Sequence, residues 1–235
     1  MRKIVCFGNS HTMALSQAVS LREYNKSILE IYWLKNKSKE SERGDITEIE
    51  AIDIISNLGV NDIITISIIG TYHNIVGLLK HDTPFDFLLK DGDDIYASDD
   101  IAVIPYNAIR DEFDLIINSN QSIEKLIKAG SCPTYLLATP PPKEDNSFMA
   151  KCTKKYRGRP LNEALINDAH IRLRLWTLEM QRIEIWCQKI GAKWLFPPQQ
   201  AITNNGYLKP EYYADDITHA NARYGELVLQ QIEAL

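Results

Sequence analysis

The sequence predicts an α/β fold: a three-layer α/β/α sandwich around a five-stranded parallel sheet. Nearly continuous apolar runs of strand length recur along the chain, the pattern of strands buried on both faces. Most are followed by a stretch with apolar residues at helical spacing. The connections are mostly short, so the first half reads β-α-β-α-β, an order that winds helices onto both faces of a parallel sheet.

The first strand is Lys3–Gly8, and helix follows over His11–Leu21. The second strand is Ile28–Leu34, followed by a charged, solvated loop over Lys35–Arg43. Ile46–Ser56 is a second helix, stopped by Asn57 and Gly59. Asn61–Gly70, with five isoleucines, is the strongest strand and is expected at the centre. From His81 to Tyr106 the periodicity lapses into an acidic stretch, expected to be a surface excursion. Its Asp91-Gly92-Asp93-Asp94 tetrad lacks the spacing of a calcium loop and reads as a solvated turn. Asn107–Ala129 is one amphipathic helix closed by Gly130, and Pro133–Thr139 is the fourth strand, ended by three prolines. Lys143–Leu165 is a second irregular excursion. It carries Lys151, Lys154, Lys155, Arg157 and Arg159, read as a solvated surface or as a flap over a polar substrate. A long helix over Asn167–Ile190, a fifth strand at Ala192–Phe196 and a last helix over Ala220–Ala234 complete the chain. With no internal repeat or low-complexity linker, all 235 residues are expected to form one domain.

Composition narrows the function. With 45% hydrophobic and 24% charged residues the chain can bury a full core without staples. A net charge of −5 argues against nucleic acid and anionic membranes as partners. Cys6, Cys132, Cys152 and Cys187 are widely spaced and form no CxxC pair, so reduced structural thiols are expected. No apolar run reaches the ~18 residues of a membrane span, and Gly8 interrupts the opening run too early for a signal peptide. A cytoplasmic location is the expectation.

In such a sheet the loops after the strands gather on one rim, where ligands bind. Ser10, Gly70, the prolines at 140–142, and Asp216 with His219 all fall there. Ser10 sits where strand turns into helix and reads as a helix cap, an anion ligand or a nucleophile. A serine hydroxyl needs a base to take its proton, and a histidine base needs a partner to hold its tautomer. Asp216-Ile217-Thr218-His219 supplies both types just before a helix.

Gly8-Asn9-Ser10-His11 after the first strand, and Asp216-x-x-His219 before the last helix, resemble the corresponding blocks of the SGNH (GDSL esterase/lipase-like) hydrolase superfamily. The resemblance spans essentially the whole chain. It implies flavodoxin-like strand order and a serine hydrolase with no cofactor and no metal. Ser10 would be the nucleophile, His219 the base and Asp216 its orienting acid, with Asp215 a rival for that last role. The implied substrate is a carboxylic ester, such as an O-acyl or O-acetyl group on a carbohydrate or small polar molecule. An acyltransferase, or a non-catalytic glycan- or anion-binding module, would use the same frame. A Rossmann-type nucleotide binder fits less well, because the first turn lacks Gly-x-Gly-x-x-Gly and the Walker lysine.

The chain departs from the family's middle blocks. In place of Gly-x-Asn-Asp after the third strand it has Gly70-Thr71-Tyr72-His73-Asn74. The oxyanion hole is therefore expected from the backbone of Ser10 and Gly70 and the amide of Asn74, the alternatives being that Thr71 takes part of that role or that the hole is incomplete. The family's separate glycine block is not identifiable. His11 and His73, each beside a site residue, are expected to act through hydrogen bonding or packing rather than as metal ligands.

Overall fold

A computed structural model describes residues 1–35, 44–89, 101–153, 155–156 and 158–235. The acidic tetrad at 91–94, most of the charged loop after the second strand, and Lys154 and Arg157 of the basic stretch lie outside the described residues.

Five strands form one parallel sheet: β1 (Lys3–Gly8), β2 (Ile28–Trp33), β3 (Ile63–Ser67), β4 (Thr134–Leu137) and β5 (Lys193–Leu195), in the order β2-β1-β3-β4-β5. That is the flavodoxin-like order, with the strongest isoleucine run at the centre. The pleat explains why the strands read as continuous apolar runs. Ile4 and Cys6 face one side, into a cluster with Leu15, Ile63, Leu137 and Leu229, while Val5 and Phe7 face the other, with Ile55, Ile66, Leu136 and Leu175. Every residue from Ile4 to Phe7 is at most 1% exposed.

The first cluster is covered by α1 (Thr12–Leu21) and α8 (Ala222–Glu233). The second is covered by α2 (Glu48–Ser56), α4 (Tyr106–Asn118), α5 (Gln121–Lys128) and α7 (Ala169–Ile190), with α3 (Tyr72–Gly77) packed on α7. Burial raises the thiols of Cys6 and Cys187 to about 12, and all four cysteines are free.

The helix expected over 107–129 is two helices. Asn118 and Asn120 turn their amides onto the carbonyls of Asp114 and Ile116, and the Ser119 hydroxyl also donates to Ile116. Polar side chains that satisfy the backbone themselves compete with helix continuation. The excursion over 143–165 is more ordered than its sequence implied. It holds α6 (Asn146–Cys152), capped by the Asp145 carboxylate on the Phe148 N–H, and an antiparallel pairing of Lys155–Tyr156 with Arg159–Pro160. In the other excursion, Phe85–Asp86 pairs in parallel with Ala102–Val103, and buried Asp86 meets Arg174 of α7 at 2.7 Å. No described helix is long and apolar enough to cross a membrane.

Helices α1 and α8 approach each other closely at Gly225. A Cβ there would lie 2.0 Å from the Ala14 carbonyl oxygen and 2.4 Å from its carbon, so only glycine allows the approach. Gly225→Ala is expected to cost about 1–3 kcal/mol through overpacking. Urea unfolding checks this, and an unchanged midpoint would contradict the contact.

Candidate active site

Both ends of the described chain reach the rim through tight turns. At β1, Gly8 is pressed against Thr12 and Ser67; an added Cβ would fall 2.2 Å from the Thr12 methyl and 2.7 Å from the Ser67 oxygen. Asn9 then laces the turn to the end of β3. Its N–H donates to Ser67 O (3.1 Å) and its amide donates to Ile68 O (2.8 Å), while its side-chain oxygen accepts from His11 N–H (3.3 Å). An aspartate could not donate to Ile68, so asparagine at this position ties the two strand ends together.

This turn leaves Ser10 beside α1 without spending its hydroxyl on the helix. His11 occupies the cap position, and no side chain caps α1. The Ser10 Oγ instead lies 2.8 Å from His219 Nε2, and His219 Nδ1 lies 2.7 Å from Asp216 Oδ2. The Asp216 carboxylate only accepts, so Nδ1 carries the imidazole proton and Nε2 is left to accept from the Ser10 hydroxyl. Asp216 divides its two oxygens: Oδ2 holds the ring, and Oδ1 accepts from the backbone N–H of Thr218 (2.8 Å) and His219 (2.7 Å). Burial alone would raise the pKa of this carboxyl. The bonds from the His219 side chain and backbone outweigh it and hold the carboxyl well below the usual carboxylate range. Asp215, the rival acid, is exposed to solvent.

The imidazole is packed as well as bonded. His11 lies against it, with ring centroids 4.7 Å apart. Burial, and then the charges on His219 and His73, lower the pKa of His11 to about 3. His11 is therefore neutral at neutral pH, and supplies a ring face without a competing charge.

The middle block follows β3 directly. Residues after Gly70 form the short helix α3, which turns His73 and Asn74 to different surroundings. His73 is 4% exposed, and its Nδ1 lies 2.7 Å from Glu179 of α7. Glu179 also accepts from the N–H groups of Tyr72 (3.0 Å) and His73 (2.9 Å), anchoring the first turn of α3. Asn74 lines a cavity of about 400 Å3 with Ile75, Leu79, Lys80, His81, Asp82 and Tyr156. No hydrogen bond joins it to Ser10 or His219 among the described residues. Gly70 adopts a φ of +94°, its carbonyl taken by the Thr139 hydroxyl at 2.8 Å. Among the described residues neither the Ser10 nor the Gly70 N–H has an acceptor.

Glu179 was not singled out by the sequence reading, yet a signal existed. Arg172, Leu175, Glu179 and Ile183 form one stripe of α7, so two charged residues stand with apolar ones on a buried face. Removing Glu179 leaves His73 and two N–H groups buried without their acceptor. Glu179→Ala is expected to cost about 3 kcal/mol, read by chemical denaturation; a cost under about 1 kcal/mol would mean water replaces the carboxylate.

No family model and no curated protein sequence matches the chain. Solved structures do match. The periplasmic domain of a lipopolysaccharide acetyltransferase from Salmonella ser. Paratyphi A aligns over 100% of this chain and 83% of its own, at 11% identity and a TM-score of 0.53. A GDSL-like lipase from Bacteroides thetaiotaomicron aligns over 99% and 86%, at 14% identity and a TM-score of 0.48. Est24, a carbohydrate acetylesterase from Sinorhizobium meliloti, aligns over 100% and 99%, at 12% identity and a TM-score of 0.46. At 11% identity the likeness to the acetyltransferase domain is one of fold alone.

Proposed function

We propose that this chain, folded as an SGNH hydrolase, is a serine esterase that removes an acyl group, most simply acetyl, from a hydroxyl of a carbohydrate or other small polar molecule. The observation that carries this reading is the continuous chain of contacts from Ser10 Oγ through the His219 ring to Asp216, at 2.8 and 2.7 Å.

In the proposed reaction the Ser10 oxygen attacks the ester carbonyl while His219 Nε2 takes its proton. Asp216, ionised, keeps the proton on Nδ1 and stabilises the imidazolium that forms. The negative charge on the former carbonyl oxygen is met by the N–H groups of Ser10 and Gly70, whose lack of other acceptors among the described residues supports this role. Collapse of the adduct breaks the C–O bond to the alcohol, which leaves with the proton from His219. Water then attacks the acyl-enzyme, giving its proton to His219, and the carboxylic acid departs as Ser10 regains its hydrogen. No metal or cofactor takes part in this sequence.

The test is a serine-reactive phosphonate with mass mapping of the adduct, alongside turnover of an activated acetyl ester. A single adduct on Ser10 with turnover is expected. Neither adduct nor turnover, with a glycan ligand still bound after His219→Ala, would identify a binding module instead.

A second reading is acyl transfer, in which a sugar hydroxyl replaces water at the acyl-enzyme; a structural neighbour of the same fold is named as an acetyltransferase domain. Acetylated sugar formed at the expense of free acetate, when an acceptor sugar is added, would select it.

A further inference from the structure

We infer that Lys143 is a positioning residue for the proposed triad: its buried ammonium ties the loop after β4 to the loop that carries Asp216 and His219. The inference rests on reading Ser10, His219 and Asp216 as that triad.

Lys143 follows the three prolines at the end of β4 and is 1% exposed. Its Nζ donates to the carbonyl of Ala214 (2.6 Å) and to that of Asp216, and it lies 3.6 Å from Asp216 Oδ1. The rings of Phe148 and Tyr213 complete the surround, each with its centroid 5.2 Å from the ammonium. These neighbours are carbonyls, a carboxylate and π faces, all of which favour a cation. Burial lowers the lysine's pKa, and Asp216 opposes that shift.

The anchor point is itself fixed from below. Arg172 of α7, 2% exposed, donates to the carbonyls of Lys143 (2.5 Å) and Asn167 (3.2 Å) and to the Asn146 side chain (2.5 Å). The Tyr213 hydroxyl accepts from Glu144 N–H at 3.0 Å. The Asp216 loop is therefore held on both sides: Lys143 grips its carbonyls, and Asp216 Oδ1 ties its own backbone. A loop fixed in this way keeps His219 Nε2 at the Ser10 oxygen with little reorganisation left for the reaction.

Lys143 also has an electrostatic effect that simple bracing lacks. A cation beside Asp216 offsets part of the carboxylate's pull on the imidazolium. Removing it favours the protonated ring, so the titration of His219 moves to higher pH. The groups around this ring are Ser10 and His11 from the β1–α1 turn, His73 of α3 acting through His11, and Asp216 from its own loop. Asp215 and Cys152 act on Lys143 itself.

The experiment compares the full-length protein with Lys143→Met, which keeps the apolar stem, and Lys143→Gln, which keeps a donor for the carbonyls but drops the charge. Histidine titration by NMR needs no turnover. It is expected to place the His219 midpoint about one pH unit higher in both variants than in the unaltered chain. The kcat on an activated acetyl ester is expected to fall roughly tenfold with KM little changed. A cooperatively folded variant with an unmoved midpoint overturns the inference, and so does failure of both variants to fold, which would assign Lys143 to folding alone. If the unaltered protein turns over no ester while the midpoint still moves, the esterase reading fails and the link from Lys143 to His219 stands.

Discussion

Ser10→Ala is expected to abolish both phosphonate labelling and ester turnover, with kcat falling by at least about 10^4-fold. The hydroxyl is the only part removed, and its partner is the His219 ring. The turn does not depend on it, because Asn9 supplies the ties to Ser67 and Ile68 and Thr12 bonds the Asn9 carbonyl at 2.7 Å. Stability should therefore stay within about 1 kcal/mol of the unaltered chain. That separation gives the prediction its force: a variant that keeps its melting temperature and its activity would remove Ser10 from the chemistry. A variant that loses both would point to a structural serine.

Asp216→Asn tests the other end of the relay. The amide is nearly the same shape, and one oxygen can still accept from the Thr218 and His219 backbones. Its NH2, facing Nδ1, forces the ring into the tautomer with hydrogen on Nε2, which cannot take a proton from Ser10. The expected fall in kcat is roughly 10^4-fold with little change in fold. The same substitution carries a pH signature. The folded chain holds the Asp216 carboxyl below its ordinary value, so the unfolded chain binds the proton more tightly. The resulting stability is complete above about pH 5 and is lost as pH falls from roughly 4 through the lower folded value. The side chain is 38% exposed, so solvent screening keeps this contribution small. Denaturation at neutral pH and at about pH 3 should show the gap between the two proteins narrowing on acidification. A gap that widens would mean that Asp216 is not the ionised partner of His219.

The sheet was legible because burial on both faces leaves its mark residue by residue: Ile4 to Phe7 and Ile63 to Ile66 are unbroken β-favouring runs, and no helical face requires that pattern. The juxtaposition of Ser10 and His219 was legible through topology, since strand ends in a parallel sheet share a rim. The break at Ser119–Asn120 was hidden because apolar periodicity continues on either side, whereas local side-chain bonds to the backbone decide it. His73, Glu179 and Lys143 were harder to place. Two of them lie in segments whose order depends on tertiary partners, and the third is a carboxylate inside a long helix. Their roles arise from contacts such as Glu179 with α3 and Lys143 with Ala214, which no local pattern encodes.

The bond between Ser10 and His219 joins residues 209 apart in sequence, each just before a helix, and those helices meet at the Gly225 contact. The proposed catalytic pair thus depends on the last helix being docked, even though the central strands need not open for it to undock. Transient release of α8 would separate base from nucleophile while leaving β1, β3 and β4 paired. Catalytic competence would then be lost before the bulk of the fold on heating, and limited proteolysis in the final helix would silence the protein without dissolving its core.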